Sequence, residues 1–68
     1  MAQIKVRIGR DTKIVDIPGR KVRLLDVIEK LGLKVPQVVI LLGNKPVPEN
    51  DYIDSGSEIR VIRVYDKN

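Results

Sequence analysis

The sequence predicts an α+β fold: a mixed sheet of four to five strands packed on one helix, in the order β-β-α-β-β-β. Three observations carry that prediction. Residues 3–8 alternate polar and apolar side chains without a fault, which is the period of a half-buried strand. Residues 21–32 switch to the roughly 3.6-residue period of an amphipathic helix. Beyond it, residues 37–42 and 58–64 return to β-branched and aliphatic runs, so strands flank the helical segment on both sides.

In the first strand Ile4, Val6 and Ile8 take the core face. Gly9-Arg10-Asp11-Thr12 supplies turn residues, and residues 13–17 form a second β-rich run with Val15 and Ile17 inward. The short connection makes these two strands a hairpin. Pro18-Gly19 ends it, because proline cannot donate to a ladder and glycine relaxes the backbone.

On the helix, Leu24, Ile28 and Leu31 centre an apolar stripe flanked by Leu25 and Val27. Arg23, Asp26, Glu29 and Lys30 share the opposite arc, where Asp26 and Lys30 stand at i,i+4 for a gain of ~0.2–0.5 kcal/mol. Gly32 is the expected left-handed stop, with Leu33 packing back on the last turn and Pro36 preventing continuation. The helix start is weakly marked: no Ser, Thr, Asp or Asn stands just before Val22.

Val38 to Leu42 is apolar throughout, as in a strand with apolar contacts on both faces. Gly43-Asn44-Lys45 is a tight turn. Val47, between Pro46 and Pro48, fits only a short edge strand. Residues 50–53 read as an irregular or single-turn segment anchored by Ile53, and Asp54 to Ser57 as another turn. The sheet face under the helix is then Ile4, Val6, Val15, Ile17, Val39, Leu41, Ile59 and Val61. This order and these lengths describe a β-grasp, one domain over residues 1–68.

Composition bounds the function. A chain of 68 residues buries only ~60% of its unfolded surface, so its core is small. It is 43% hydrophobic and 32% charged, which fits a folded domain and not disorder. There is no cysteine, hence no disulfide, thiolate metal site or cysteine nucleophile. There is no histidine, the commonest general base and metal ligand. The N-terminus lacks signal-peptide architecture and no long apolar run occurs, which predicts a cytoplasmic protein without a membrane partner. The missing Cys, the single Met and the many charged residues lean toward a thermophilic source.

The net charge of +4 comes from 13 basic and 9 acidic residues interspersed along the chain. No polybasic arm is present, and a mixed solvated surface accounts for the charge. Thr12, Ser55 and Ser57 are the hydroxyls besides the two tyrosines, with no histidine to activate them, which argues against an enzyme. Glu49, Asp51 and Asp54 do not follow a calcium-loop pattern and read as turn residues. No metal and no cofactor is implied. Ile14, Val38, Ile40, Leu42 and Ile62 have the parity opposite the proposed core. Ile14, Ile40, Leu42 and Ile62, with Arg60, are the expected partner-binding face. Arg7, Arg60 and Arg63 offer guanidinium forks to carboxylates of an acidic partner. Nucleic acid is disfavoured by the scarcity of aromatic stacking residues, Tyr52 and Tyr65 alone.

Three stretches carry a family resemblance. Lys21-Val22-Arg23-Leu24-Leu25-Asp26-Val27-Ile28 resembles the opening of the helix in MoaD/ThiS-like proteins. Val39 to Val47 resembles their strand, turn and short strand, with Gly43-Asn44 in place of Asn-Gly. Asp54-Ser55-Gly56-Ser57-Glu58-Ile59-Arg60-Val61-Ile62 resembles their last turn and strand, with Ser55 and Ser57 near the usual acidic positions. The resemblance covers nearly the whole chain and implies a ubiquitin-like β-grasp. It also implies a sulfur carrier or protein modifier that works through protein binding, in thiamin, molybdopterin or tRNA-thiolation sulfur transfer. The implied partners are an E1-like adenylating enzyme, which activates a C-terminal Gly-Gly carboxylate with ATP, and a sulfur-accepting synthase subunit. Glycine suits such a tail because a flexible end without side chains threads a narrow channel. In this sequence Lys67 and Asn68 stand at the tail position and no glycine follows Gly56, so no catalytic or conjugating residue is carried over. Two alternatives stay open: a divergent β-grasp interaction module without carrier chemistry, and a small nucleic-acid-binding domain.

Overall fold

The computed structural model describes residues 1–34 and 37–64. β1 (Ala2–Ile8) and β2 (Asp11–Ile17) form the first hairpin, and β3 (Lys21–Arg23) leads directly into α1 (Leu24–Lys30). β4 (Val38–Leu42), β5 (Lys45–Val47), β6 (Tyr52–Asp54) and β7 (Glu58–Arg63) follow. The main sheet has five strands in the order β2-β1-β7-β4-β5, and β3 pairs with β6 in a small second sheet. β1 and β7 are parallel neighbours at its centre, while the other pairings are antiparallel. This is the β-grasp arrangement expected from the order of elements.

Both hairpins turn on a two-residue loop, Gly9-Arg10 and Gly43-Asn44. Each loop has a positive φ at its glycine and none at the next residue, the pattern of a II′ turn, whose twist matches the flanking strands. The first loop is therefore shorter than its turn-forming residues predict, and Asp11 and Thr12 already belong to β2.

The helix is also shorter than its predicted span. Residues 21–23 form β3, where Val22 faces Ile53 across the pair with β6 and is buried. The segment expected to be irregular at residues 50–53 thus contributes a strand, with Ile53 as its buried anchor. The missing side-chain cap has the same cause. The first free helix N–H groups, of Leu24 and Leu25, donate to the carbonyls of Asp51 and Glu49 at 2.9 Å each. A loop from elsewhere in the chain satisfies these donors, so no N-cap side chain is needed. Asp26 pairs with Arg23 at 3.8 Å rather than with Lys30.

The helix ends where its sequence predicts. Gly32, at φ +77°, donates to Glu29 O, and Leu33 donates to Ile28 O, which is a Schellman closure. Pro36 lies outside the described residues. A Cβ on Gly32 would meet nothing, so Gly32→Ala costs only backbone strain. We expect a loss of about 1 kcal/mol and a melting temperature lower by about 4–8 °C, read by circular dichroism.

The core is a single cluster: Ala2, Ile4 and Val6 of β1, Val15 of β2, Val22, Leu24, Val27 and Ile28 around the helix, and Ile40, Ile53, Ile59 and Val61. No polar side chain is buried with it among the described residues. One strand of the predicted sheet face is reversed. Val39 is 38% exposed, while Ile40 is 4% exposed. The register explains it: Ile40 stands directly opposite Val61, and opposed residues share a face.

Candidate protein-binding face

The sheet face away from α1 is ordered by strand register. Across it runs the row Thr12, Arg7, Arg60, Leu41, Pro46, from β2 to β5. On one side of that row lie Ile14, Lys5 and Glu58, and on the other lie Ile62 and Val39. Arg7 reaches Glu58 at 3.8 Å, with both side chains well exposed, so the pair adds little to stability.

Of the residues expected to form a partner face, three take that side. Arg60, Ile62 (45% exposed) and Ile14 (57% exposed) are all solvent-facing. They do not form one apolar patch, because the row containing Arg7 and Arg60 separates Ile14 from Ile62. Ile40 is corrected to the core, for the register reason given above. Leu42 shares its inward parity, facing Ile59, and is 39% exposed at the end of β4. Lys67 and Asn68 lie outside the described residues.

Val39 and Leu41, expected in the core, instead join Ile62 and Pro46 in a continuous apolar cluster over β7, β4 and β5. Val64, 51% exposed, extends it past the end of β7, its N–H donating to Gln37 O at 2.8 Å. In an unbroken apolar run the parity of β4 has no sequence signal, so these residues could be found only through the pairing of Ile40 with Val61.

Two shallow grooves open beside the cluster. One is lined by Arg7, Leu41, Asn44, Glu58 and Arg60, the other by Arg10, Asp11, Arg60, Ile62 and Arg63. The arrangement is an apolar surface with guanidinium groups on its border, suited to binding a protein that carries exposed carboxylates. Among the described residues no cluster of His, Cys, Asp and Glu could hold a metal ion, and no helix is long and apolar enough to cross a membrane. Ser55 serves the fold: its hydroxyl oxygen accepts the Gln3 N–H at 3.1 Å, and Gly56 N–H donates to Gln3 O at 2.8 Å. The turn before β7 is thereby tied to the start of β1.

This fold is that of a ubiquitin-like protein. Two solved structures share the fold. The N-terminal ubiquitin-like domain in the 4931431F19Rik protein superimposes with a TM-score of 0.75 at 13% identity, over 98% of this chain and 78% of that one. ATBAG1, solved in complex with HSP70, gives a TM-score of 0.79 at 11% identity, over 94% of this chain and 41% of that one. An uncharacterized protein of Archaeoglobus fulgidus is 33% identical over 63 residues, covering 91% of this chain and 92% of that protein. The model of small archaeal modifier protein 2 (SAMP2) matches residues 1–65. The chain belongs to that family of small ubiquitin-like modifiers of the sulfur-carrier type.

Proposed function

We propose that the protein is a modifier and sulfur carrier that acts by binding other proteins, and is not itself an enzyme. Its partners are an E1-like adenylating enzyme and a sulfur-accepting synthase subunit, in thiamin, molybdopterin or tRNA-thiolation metabolism. The observation that carries this reading is the family match across residues 1–65 on a β-grasp frame. The apolar cluster of Val39, Leu41 and Ile62 is the docking face, with Arg60 and Arg7 facing carboxylates of the enzyme. Ile14 lies apart from it. The partner enzyme joins the C-terminal carboxylate to the AMP part of ATP with release of pyrophosphate. A sulfide-level sulfur donor then attacks the acyl carbon and displaces AMP, leaving a thiocarboxylate.

Intact-mass spectrometry of the protein expressed from its own gene tests this directly. After incubation with ATP, the E1-like enzyme of the same source and a sulfur donor, the mass rises by the difference between sulfur and oxygen. Fragmentation then places the change on the terminal residue. An unchanged mass, under conditions that thiolate a diglycine-tailed control, removes carrier chemistry from the reading.

A further inference from the structure

The two edges of the main sheet differ. β5 is 3 residues long and contains Pro46, with Pro48 just beyond, so that edge is blunted. β2 has 7 residues, contains neither proline nor glycine, and pairs with β1 along its whole length. Its other side is unpaired among the described residues.

The hairpin fixes which backbone groups are free there. A two-residue loop closes on a hydrogen-bonded pair, here Ile8 with Asp11, and such pairs alternate along antiparallel strands. Asp11, Lys13, Val15 and Ile17 therefore turn their N–H and C=O groups toward β1. Thr12, Ile14 and Asp16 present theirs to solvent. Ile14 is the centre of that row and is 57% exposed.

We propose that this edge binds the same edge of a second copy, antiparallel about a two-fold axis at Ile14, so that two main sheets become one. The row is self-complementary in that register. Ile14 faces Ile14 and Thr12 faces Asp16, each pair exchanging both N–H···O bonds. Every free residue is used. The Thr12 hydroxyl donates to the Asp16 carboxylate of the second copy. Arg7, beside Thr12 on β1, is then about 10 Å from that Asp16 across two strand spacings, within reach of its guanidinium. On the other face Lys13 meets Val15 and Asp11 meets Ile17, so no like charges oppose each other.

Neighbouring registers are worse. A slip of two residues one way sets Lys13 against Lys13, and the other way sets Ile14 against Asp16. Lys13 is the kind of edge charge that discourages indiscriminate strand addition, and here it selects the register. The contact is isologous and confined to one strand pair. Association is therefore weak and concentration-dependent. The apolar cluster on β7 and β4 stays free in the pair.

The test is sedimentation equilibrium over a concentration series, with amide spectra of ¹⁵N-labelled protein at each step. We expect the average mass to climb toward that of two copies, with slowed amide exchange at Thr12, Ile14 and Asp16. Ile14→Pro removes an N–H that points to solvent in the single copy, which an edge strand tolerates. It keeps the parent circular dichroism and weakens association on the order of tenfold or more. Asp16→Lys, which leaves the backbone intact, weakens it too. A protein of single-copy mass at its highest soluble concentration overturns the proposal. So does association that Ile14→Pro leaves unchanged, or an edge that takes up an extended peptide of another protein but not its own copy.

Discussion

Ile40→Lys is expected to leave the chain unfolded at neutral pH, while Ile62→Lys folds like the parent. Both residues are isoleucines in β-strands of the same sheet, Ile40 within the aliphatic run of β4 and Ile62 between Val61 and Arg63 of β7. Ile40 is 4% exposed and faces Val61 and Val47, whereas Ile62 is 45% exposed and faces Val39. A lysine at position 40 puts an ammonium group among aliphatic side chains. No carboxylate lies in the buried cluster to pair with it. The cost is several kcal/mol. A domain of 68 residues has a total stability of roughly 3–10 kcal/mol, so the population shifts to the unfolded state. At position 62 the new side chain extends into water, and the change stays within about 0.5 kcal/mol. Dispersion of the amide spectrum separates the two results. A folded Ile40→Lys protein would show that β4 has the opposite parity. Ile62→Lys should then bind the E1-like enzyme more weakly than the parent, because it places a charge in the proposed docking cluster.

That contrast marks where the sequence stops being readable. β1 alternates polar with apolar residues, so the period alone identifies its inward residues Ile4 and Val6, and β7 behaves likewise with Ile59 and Val61. Gly32 announces the helix stop because only a residue without a Cβ takes a positive φ there cheaply. β4 offers no such signal. In Val38-Val39-Ile40-Leu41-Leu42 either parity buries aliphatic carbon, and only the partner strand chooses between them. The helix start is misplaced for a related reason. Val22 fits both a helical stripe and a strand. A strand supplied some thirty residues later, at Tyr52–Asp54, settles it by pairing. Local pattern therefore fixes the elements whose two faces differ. Long-range pairing fixes those whose faces are alike, and the candidate face sits on the second kind.

Ile28→Ala should remove about 3 kcal/mol of stability, a third or more of what a domain of this size has. Ile28 is fully buried and is among the largest side chains so placed. Its backbone carbonyl accepts the Leu33 N–H in the Schellman closure, and its side chain packs in the cluster that includes Ile4, Leu24 and Ile59. Alanine keeps the carbonyl and has the best helix propensity. The loss is therefore one of packing, made of transfer free energy and the cavity left behind. A core of this size is covered by one seven-residue helix, so neighbouring side chains have few ways to collapse into the space. Urea unfolding followed by circular dichroism reads the effect. With a slope of about 1–3 kcal/mol per molar, the midpoint falls by about 1 M or more while the slope is unchanged. Glu29→Ala is the reference on the same helix. Glu29 is exposed, and its replacement moves the midpoint little. A small loss at Ile28 together with a large one at Glu29 would mean that α1 turns a different face to the sheet. Equal losses at the two sites would mean that the helix is held by its ends rather than by its stripe.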